Sequence, residues 1–161
     1  MLVGRQRQMC MSDRINQTAV FVSAAKGLER HTGKRRSQLF SEGLKGRVDS
    51  NFSVLSGPNL ATEIADGKPA FTVIASNPIE VAELVQQIFT SSNFRVYTNT
   101  DLMGVELGGT LKNIVAIGAG FIDGIGLGNN AKSAFISRAI AEISRLGIAA
   151  GAELITFAGL A

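Results

Sequence analysis

Cysteine and histidine are almost missing from this sequence, with one of each, Cys10 and His31, in 161 residues. A lone cysteine cannot close a disulfide within the chain, and neither a four-cysteine zinc site nor a cluster of imidazoles can be built from the pair. Long hydrophobic runs are missing too. In the glycine-rich middle, the longest charge-free stretch runs from Asn113 to Ile122 between Lys112 and Asp123. Those ten residues fall well short of the ~20 that span a bilayer. The opening residues carry Arg5, Arg7 and Arg14 but no apolar block of the secretory kind. These absences predict no membrane segment, no export signal and a reducing, cytoplasmic setting.

What is present is an ordinary globular composition, 45% hydrophobic and 18% charged, which argues against disorder and allows one domain with a proper core or two small ones. The net charge of +3 is modest but unevenly placed. Between residues 26 and 47 stand Lys26, Arg30, Lys34, Arg35, Arg36, Lys45 and Arg47, against only Glu29 and Glu42. Such a stretch can hold nucleic acid or a phosphorylated ligand, although basic faces more commonly serve solubility. No aromatic residue is interleaved before Phe40, so bases would have no stacking platform there. The expectation is therefore no nucleic-acid partner, with a non-catalytic basic binding module as an alternative.

Short β-branched and apolar runs suggest strands at Thr18–Ala25, Phe52–Leu55, Phe71–Ala75 and Phe94–Tyr97. Helices are expected between them: Ser37–Glu42, Leu60–Ala65, and one opening at Pro78 with an apolar face of Val81, Leu84, Val85 and Ile88. Residues 1–17 lack periodicity and read as a frayed start. Strand–helix alternation over residues 18–98 is the pattern of a parallel sheet with crossovers. From residue 99 the pattern is helical, so a boundary between an α/β part and an all-α part (99–161) is placed near residue 98. Asn99-Thr100-Asp101 offers capping oxygens for a helix running to about Ile122. A second helix is expected from Ala131 to about Ala150, with Gly151 as its stop.

The first of these long helices carries glycines at 104, 108, 109, 118 and 120. Each interior glycine costs about 0.8–1.0 kcal/mol against alanine, so another backbone or a ligand is expected to approach closely. At 100° per residue, Lys112 shares a stripe with Val105, Gly108, Gly109, Ala116, Ala119 and Asp123. A lysine on a close-packing face can be either a rim residue or a partly buried ammonium aimed into a cleft, where ligand sites are common. The loops Lys26-Gly27 and Gly57-Pro58-Asn59 each follow a strand directly, and in open α/β sheets ligands bind beyond the carboxyl ends of strands. With Lys112 they form a candidate anion site. Gly126-Leu-Gly-Asn-Asn-Ala131 fits the G-x-G-x-x-A spacing of a dinucleotide fingerprint. A helix precedes it rather than a strand, so it reads as an interhelical turn with Asn129 or Asn130 as N-cap.

Ala-Ala-Lys26-Gly27-Leu-Glu, Leu-Ser56-Gly57-Pro58-Asn-Leu-Ala61, Phe94-Arg-Val-Tyr97, Gly104-Val-Glu-Leu-Gly-Gly-Thr-Leu-Lys112-Asn113, Arg138 through Leu146, and Thr156-Phe157-Ala-Gly-Leu-Ala161 follow one another in an order and spacing that resembles the bacterial NAD(P)-dependent glycerol-3-phosphate dehydrogenases over residues 15–161. The resemblance implies α/β followed by α: the C-terminal part of a Rossmann-like parallel sheet, then the first helices of an all-α substrate domain. It implies interconversion of sn-glycerol 3-phosphate and dihydroxyacetone phosphate with NAD or NADP, in glycerophospholipid precursor synthesis, and a homodimer of the full-length enzyme. Lys112 resembles the proton-transferring lysine, and Asn113 its substrate-contacting neighbour. Lys26 resembles a lysine touching both substrate and cofactor; Gly57 and Asn59 fall at substrate-loop positions and Ala61 at a cofactor position.

The sequence departs from the family's usual pattern at Asn59, where a small hydroxyl residue is common, and at Leu60, where phenylalanine is. The resemblance also places the main pyrophosphate-binding loop before residue 1, and the aspartate and Ser-Arg-Asn segment that grip the substrate phosphate beyond Ala161. It therefore implies a truncated chain, inactive alone, with an unpaired sheet edge. A related hydroxyacid-type dehydrogenase is the other enzyme alternative; its Lys-x-x-x-Asn pattern is not met, since position 116 is alanine.

Overall fold

The computed structural model describes residues 16, 18–44 and 51–158; most of the frayed start expected over 1–17, and the basic residues Lys45 and Arg47, lie outside them. Ten elements follow in order: β1 (Phe21–Ser23), α1 (Arg36–Leu44), β2 (Phe52–Ser56), α2 (Ala61–Ala65), β3 (Ala70–Ser76), α3 (Ile79–Phe89), β4 (Phe94–Asn99), α4 (Leu102–Gly124), α5 (Gly128–Ala149) and α6 (Leu154–Phe157). The architecture is α/β followed by α, as the sequence pattern predicts, though the first strand is shorter than its apolar run.

The four strands lie side by side in chain order, β1-β2-β3-β4. β1 runs parallel to β2 and β3 parallel to β4, but β2 and β3 are antiparallel, with Ser53 opposite Ser76 and Ser56 opposite Val73. The sheet is thus mixed, which corrects the parallel sheet expected from the alternation. The connection between them, residues 57–69, holds a helix of only five residues, α2, about 7.5 Å long against a strand of about 17 Å. The chain re-enters the sheet from the end where β2 left it, so β3 runs antiparallel to β2.

Side chains alternate between two cores. Phe52, Val54, Val73, Ala75 and Val105 pack on one face with Phe21, Phe40 and Leu102. Ile74, Ala82, Val85 and Val96 pack on the other with Val22, Leu55 and Phe94. α4 and α1 therefore cover one side and α3 the other. α3 turns a different face to the sheet than expected: Val81, Ala82 and Val85 are buried, whereas Leu84 and Ile88 are exposed. Ala82, fully buried, is the small residue on which the helix seats itself. Three buried hydroxyls in the sheet donate to neighbouring carbonyls, Ser53 to Phe21 O, Thr72 to Ser56 O and Ser76 to Phe52 O, so the burial of these three leaves no open donor. Ser56 Oγ, also buried, has no partner.

α4 starts where the capping oxygens predict. Asp101 is its N-cap and accepts from Gly104 N at 2.8 Å; the same carboxylate accepts from Glu153 N and Thr156 Oγ1, tying α6 to the helix start. By length and composition α4 is long and apolar enough to cross a membrane, more than its ten-residue charge-free stretch suggests. Its first half is laid on the sheet, with Gly104, Val105, Glu106, Gly108 and Gly109 buried. α5 begins at Gly128 after Leu127, without a side-chain cap, so neither Asn129 nor Asn130 is the N-cap. Gly126 and Gly128, both at positive φ, make the turn instead. The helix ends as expected at Gly151: Gly151 N donates to Ile148 O and Ala152 N to Gly147 O, the paired bonds of a Schellman stop.

Candidate functional site

α4 is the element that positions the site. Leu102 packs with the Phe52 cluster at the beginning of β2, and Gly109 lies over Ser56 at the end of β2. Helix and strand therefore run the same way along each other. The next turn of α4 overshoots the strand and carries Lys112 past its carboxyl end. Contact this close requires the glycine: a Cβ on Gly109 would stand 2.5 Å from Ser56 Oγ. Gly57, the first residue beyond β2, is similarly confined, since its Cβ would meet Phe71 O at 2.9 Å. At Gly104, Gly109 and Gly118 the close approach comes from side chains rather than from another backbone, while Gly108 lines the cleft. Ser56 meets Gly109, Phe135 meets Gly118, and nothing lies within 4 Å of Gly120.

Lys112 is half-buried on the wall of a cleft of about 360 Å³, with Gly57, Pro58, Phe71, Val115, Ile140 and Phe157 among the other wall residues. This apolar lining strips water from the ammonium, and that desolvation, followed by the positive charge of Lys26, pushes its pKa below the ordinary lysine value. Lys26 follows β1 as Gly57 follows β2, and because the two strands are parallel the two loops meet. Lys26 Nζ donates to Gly57 O at 3.2 Å. Lys26, Gly57 and Lys112 are thus brought together at one edge of the sheet.

The remaining residues singled out from the sequence are placed differently. Asn59 spends its amide on the sheet, donating from Nδ2 to Phe71 O at 2.8 Å, while its buried Oδ1 has no partner. Ala61 is exposed at the start of α2, and Asn113 is exposed on α4, off the cleft wall. Among the described residues no cluster of histidine, cysteine or carboxylates could hold a metal ion. Gly126–Ala131 joins two helices, so it is not a dinucleotide turn.

Sequence reasoning missed a polar network beneath the two lysines. Glu106, buried six residues before Lys112, accepts from Arg35 Nη1 at 2.7 Å, from Ser37 N at 2.8 Å and from Ser37 Oγ at 2.7 Å. Thr110 Oγ1 donates to Glu106 O at 2.8 Å and accepts from Gly27 N at 3.2 Å. The available signal was a lone carboxylate between Val105 and Leu107 in a run otherwise free of charge from Leu102 to Leu111; once buried, such a group demands a cation. The same pairing dissolves much of the basic stretch as one surface: Arg35 serves Glu106, Lys34 pairs with Glu42, and Lys26 reaches Gly57.

Comparison with known proteins agrees with this layout. Residues 5–82 match the family model described as NAD-dependent glycerol-3-phosphate dehydrogenase N-terminus, and residues 101–161 match the model of the same family's C-terminus. The chain is 52% identical over 147 residues to glycerol-3-phosphate dehydrogenase [NAD(P)+] of Dehalococcoides mccartyi, an alignment covering 91% of this chain and 41% of that one. The Halothermothrix orenii protein of the same name is 48% identical, with 91% and 42% covered. Among solved structures, glycerol-3-phosphate dehydrogenase of Coxiella burnetii superposes with a TM-score of 0.80 at 34% identity, covering 97% of this chain and 47% of that one. The α/β sheet and its helical continuation are thus those of a nicotinamide-dependent dehydrogenase fold. The chain belongs to the NAD-dependent glycerol-3-phosphate dehydrogenase family, and it spans about two-fifths of the length of the curated relatives it matches.

Proposed function

We propose that this chain is the lysine-bearing segment of an NAD(P)-dependent glycerol-3-phosphate dehydrogenase, with an α/β part to residue 98 and a helical substrate part from residue 99. The observation that carries the reading is Lys112, held half out of water at the carboxyl ends of β1 and β2 with its pKa depressed by burial and by Lys26. An ammonium there suits the reduction of a ketone. As negative charge builds on the carbonyl oxygen, Lys112 Nζ stabilises it and donates the proton; in the reverse direction the neutral amine accepts the proton of the alcohol. A nicotinamide cofactor supplies or takes up the hydride. Lys26, exposed at the strand ends, is a cation suited to its phosphates or to the phosphate of the substrate, and Gly57 lines the same cleft as Lys112, offering backbone rather than a side chain there. Asn59 and Asn113 belong to the substrate side of this reading and Ala61 to the cofactor side. A cytoplasmic setting and a homodimer of the full-length enzyme go with it.

The test is a chimera in which residues 16–158 replace the matching segment of the Dehalococcoides mccartyi relative. Oxidation of NADH or NADPH should then depend on dihydroxyacetone phosphate. Lys112→Ala should lower kcat by about 10²–10⁴-fold, the usual contribution of a positioned proton donor, while cofactor binding persists. Turnover within a few-fold of the parent chimera in that variant sinks the reading.

A further inference from the structure

The two lysines stand on separate elements, so something must set the distance between their charges. Lys112 belongs to a helix laid along β2. Lys26 belongs to a loop that leaves β1 after three paired residues and wanders until α1 begins at Arg36. That loop is fastened to α4 at both ends. At its far end the Glu106 carboxylate holds Arg35 and Ser37. At its near end Gly27, turned to φ +99, points its N–H at Thr110 Oγ1. Residues 106 and 110 lie one turn apart on the same face, and Lys112 is two residues further on.

We propose that Thr110 is a positioning residue: its hydroxyl fixes the Lys26–Gly27 loop against α4 and so sets the separation of the two ammonium groups. The inference rests on the reading of Lys112 and Lys26 as the working cations of the site. A hydroxyl has one hydrogen and two lone pairs. The hydrogen of Thr110 goes to Glu106 O, within its own helix, which leaves a lone pair facing Gly27 N. Neither alanine nor valine at position 110 offers that acceptor, whereas serine does. Without it, the near end of the loop keeps, among the described residues, the bond from Lys26 Nζ to Gly57 O, made by a long exposed side chain.

The surroundings of Lys112 make the consequence readable. On α4 the carboxylate of Glu106 is engaged by Arg35, and that of Asp123 by Lys132 at 2.8 Å. The cleft walls from the β2–α2 loop, β3, α5 and α6 are Gly57, Pro58, Phe71, Val73, Ile136, Ile140, Ile143 and Phe157, none of them ionisable. The charge that acts on Lys112 is that of Lys26. A loop that swings away therefore relieves the repulsion, and Lys112 titrates at higher pH.

The experiment uses this chain with its lysines reductively ¹³C-methylated, the Lys112 resonance being assigned through Lys112→Arg and its titration followed by NMR. Lys26→Gln should move the Lys112 midpoint up in pH. Thr110→Val should move it in the same direction, Thr110→Ser should leave it in place, and Thr110→Val should add nothing in the Lys26→Gln background. Thr110→Ala, with a good helix former, gives the same reading should the valine variant not fold. An unmoved midpoint in Thr110→Val or Thr110→Ala overturns the proposal, as does a shift that Thr110→Ser shares or one that persists undiminished without Lys26. Since catalysis is not read, such a failure leaves the dehydrogenase reading standing, and failure of the chimera leaves this geometry standing.

Discussion

An ammonium half removed from water on an apolar wall opposes the fold that holds it. For Lys112 the direction with pH follows from linkage. Its folded-state pKa is lowered, so between that value and the ~10.4 of an unfolded lysine the unfolded chain binds more protons, and stability rises with pH. Below the folded-state pKa both states are charged and the penalty is full. Lys112→Met, similar in length and uncharged, should therefore resist urea better than the parent at pH 7. The gain should shrink as the pH climbs through the folded-state pKa. A variant less stable than the parent at pH 7 would show that Lys112 makes contacts that outweigh its desolvation. The same depression has a kinetic face. In the chimera, alcohol oxidation needs the neutral amine and ketone reduction the ammonium, so oxidation should rise and reduction fall through one pH region. Lys26→Gln should carry that region to higher pH, because it removes the repelling charge; a limb that stays put would place the titration on another group.

At the scale of the element, α4 shows how a helix rich in glycine can be the rigid part of a site. Ser56 is 2% exposed, its Oγ has no partner, and it points at Gly109. Gly109→Ala should destabilise by about 1–3 kcal/mol through overpacking, since its Cβ would lie 2.5 Å from that oxygen but 3.4 Å from Ser56 Cβ. In the Ser56→Ala background the clash is gone, and the same change should be neutral or stabilising by up to about 1 kcal/mol, the helix propensity of alanine over glycine. Denaturant midpoints for the four proteins of this cycle check it; additive effects would mean that the two residues do not meet. What the sequence showed of α4 was its cap at Asp101, the first half of its packing face (Val105, Gly108 and Gly109) and Lys112 beyond it, all local properties of a 3.6-residue period; Ala116 and Asp123 of the same stripe are exposed. It did not show Glu106 held by Arg35, because the partners are 71 residues apart and nothing in the periodicity of one names the other. Nor did it show the direction of β3, since strand–helix alternation records element type and not which way a strand enters the sheet. Lys26, Gly57 and Lys112 could be grouped beforehand because two of them follow strands directly, whereas the turn of the Asn59 side chain toward Phe71 depends on that unforeseen antiparallel neighbour.

Across the whole molecule, burial is distributed unequally. β2 and β3 lie between helices on both sides, and Val54, Val73, Ile74 and Ala75 are almost fully enclosed. β1 contributes three residues bonded to β2 along one edge. α4 changes character along its length: Gly104 to Gly109 supply its buried residues, while Ile114, Ile117 and Phe121 are 65%, 74% and 66% exposed. Opening free energies follow such differences, because a segment with few buried contacts separates from the core without unfolding it. Amide hydrogen exchange on this chain should therefore be slowest in β2 and β3, intermediate in the first half of α4, and fastest in residues 114–124, although that segment is continuous helix and its amides are hydrogen-bonded. The contrast within one helix is the decisive measurement. Equal protection along α4 would mean that its apolar second half is covered in solution, by self-association or by another surface, and a concentration series would separate the two. Graded protection would instead make the sheet and the first two turns of α4 the rigid platform from which Lys112 is presented.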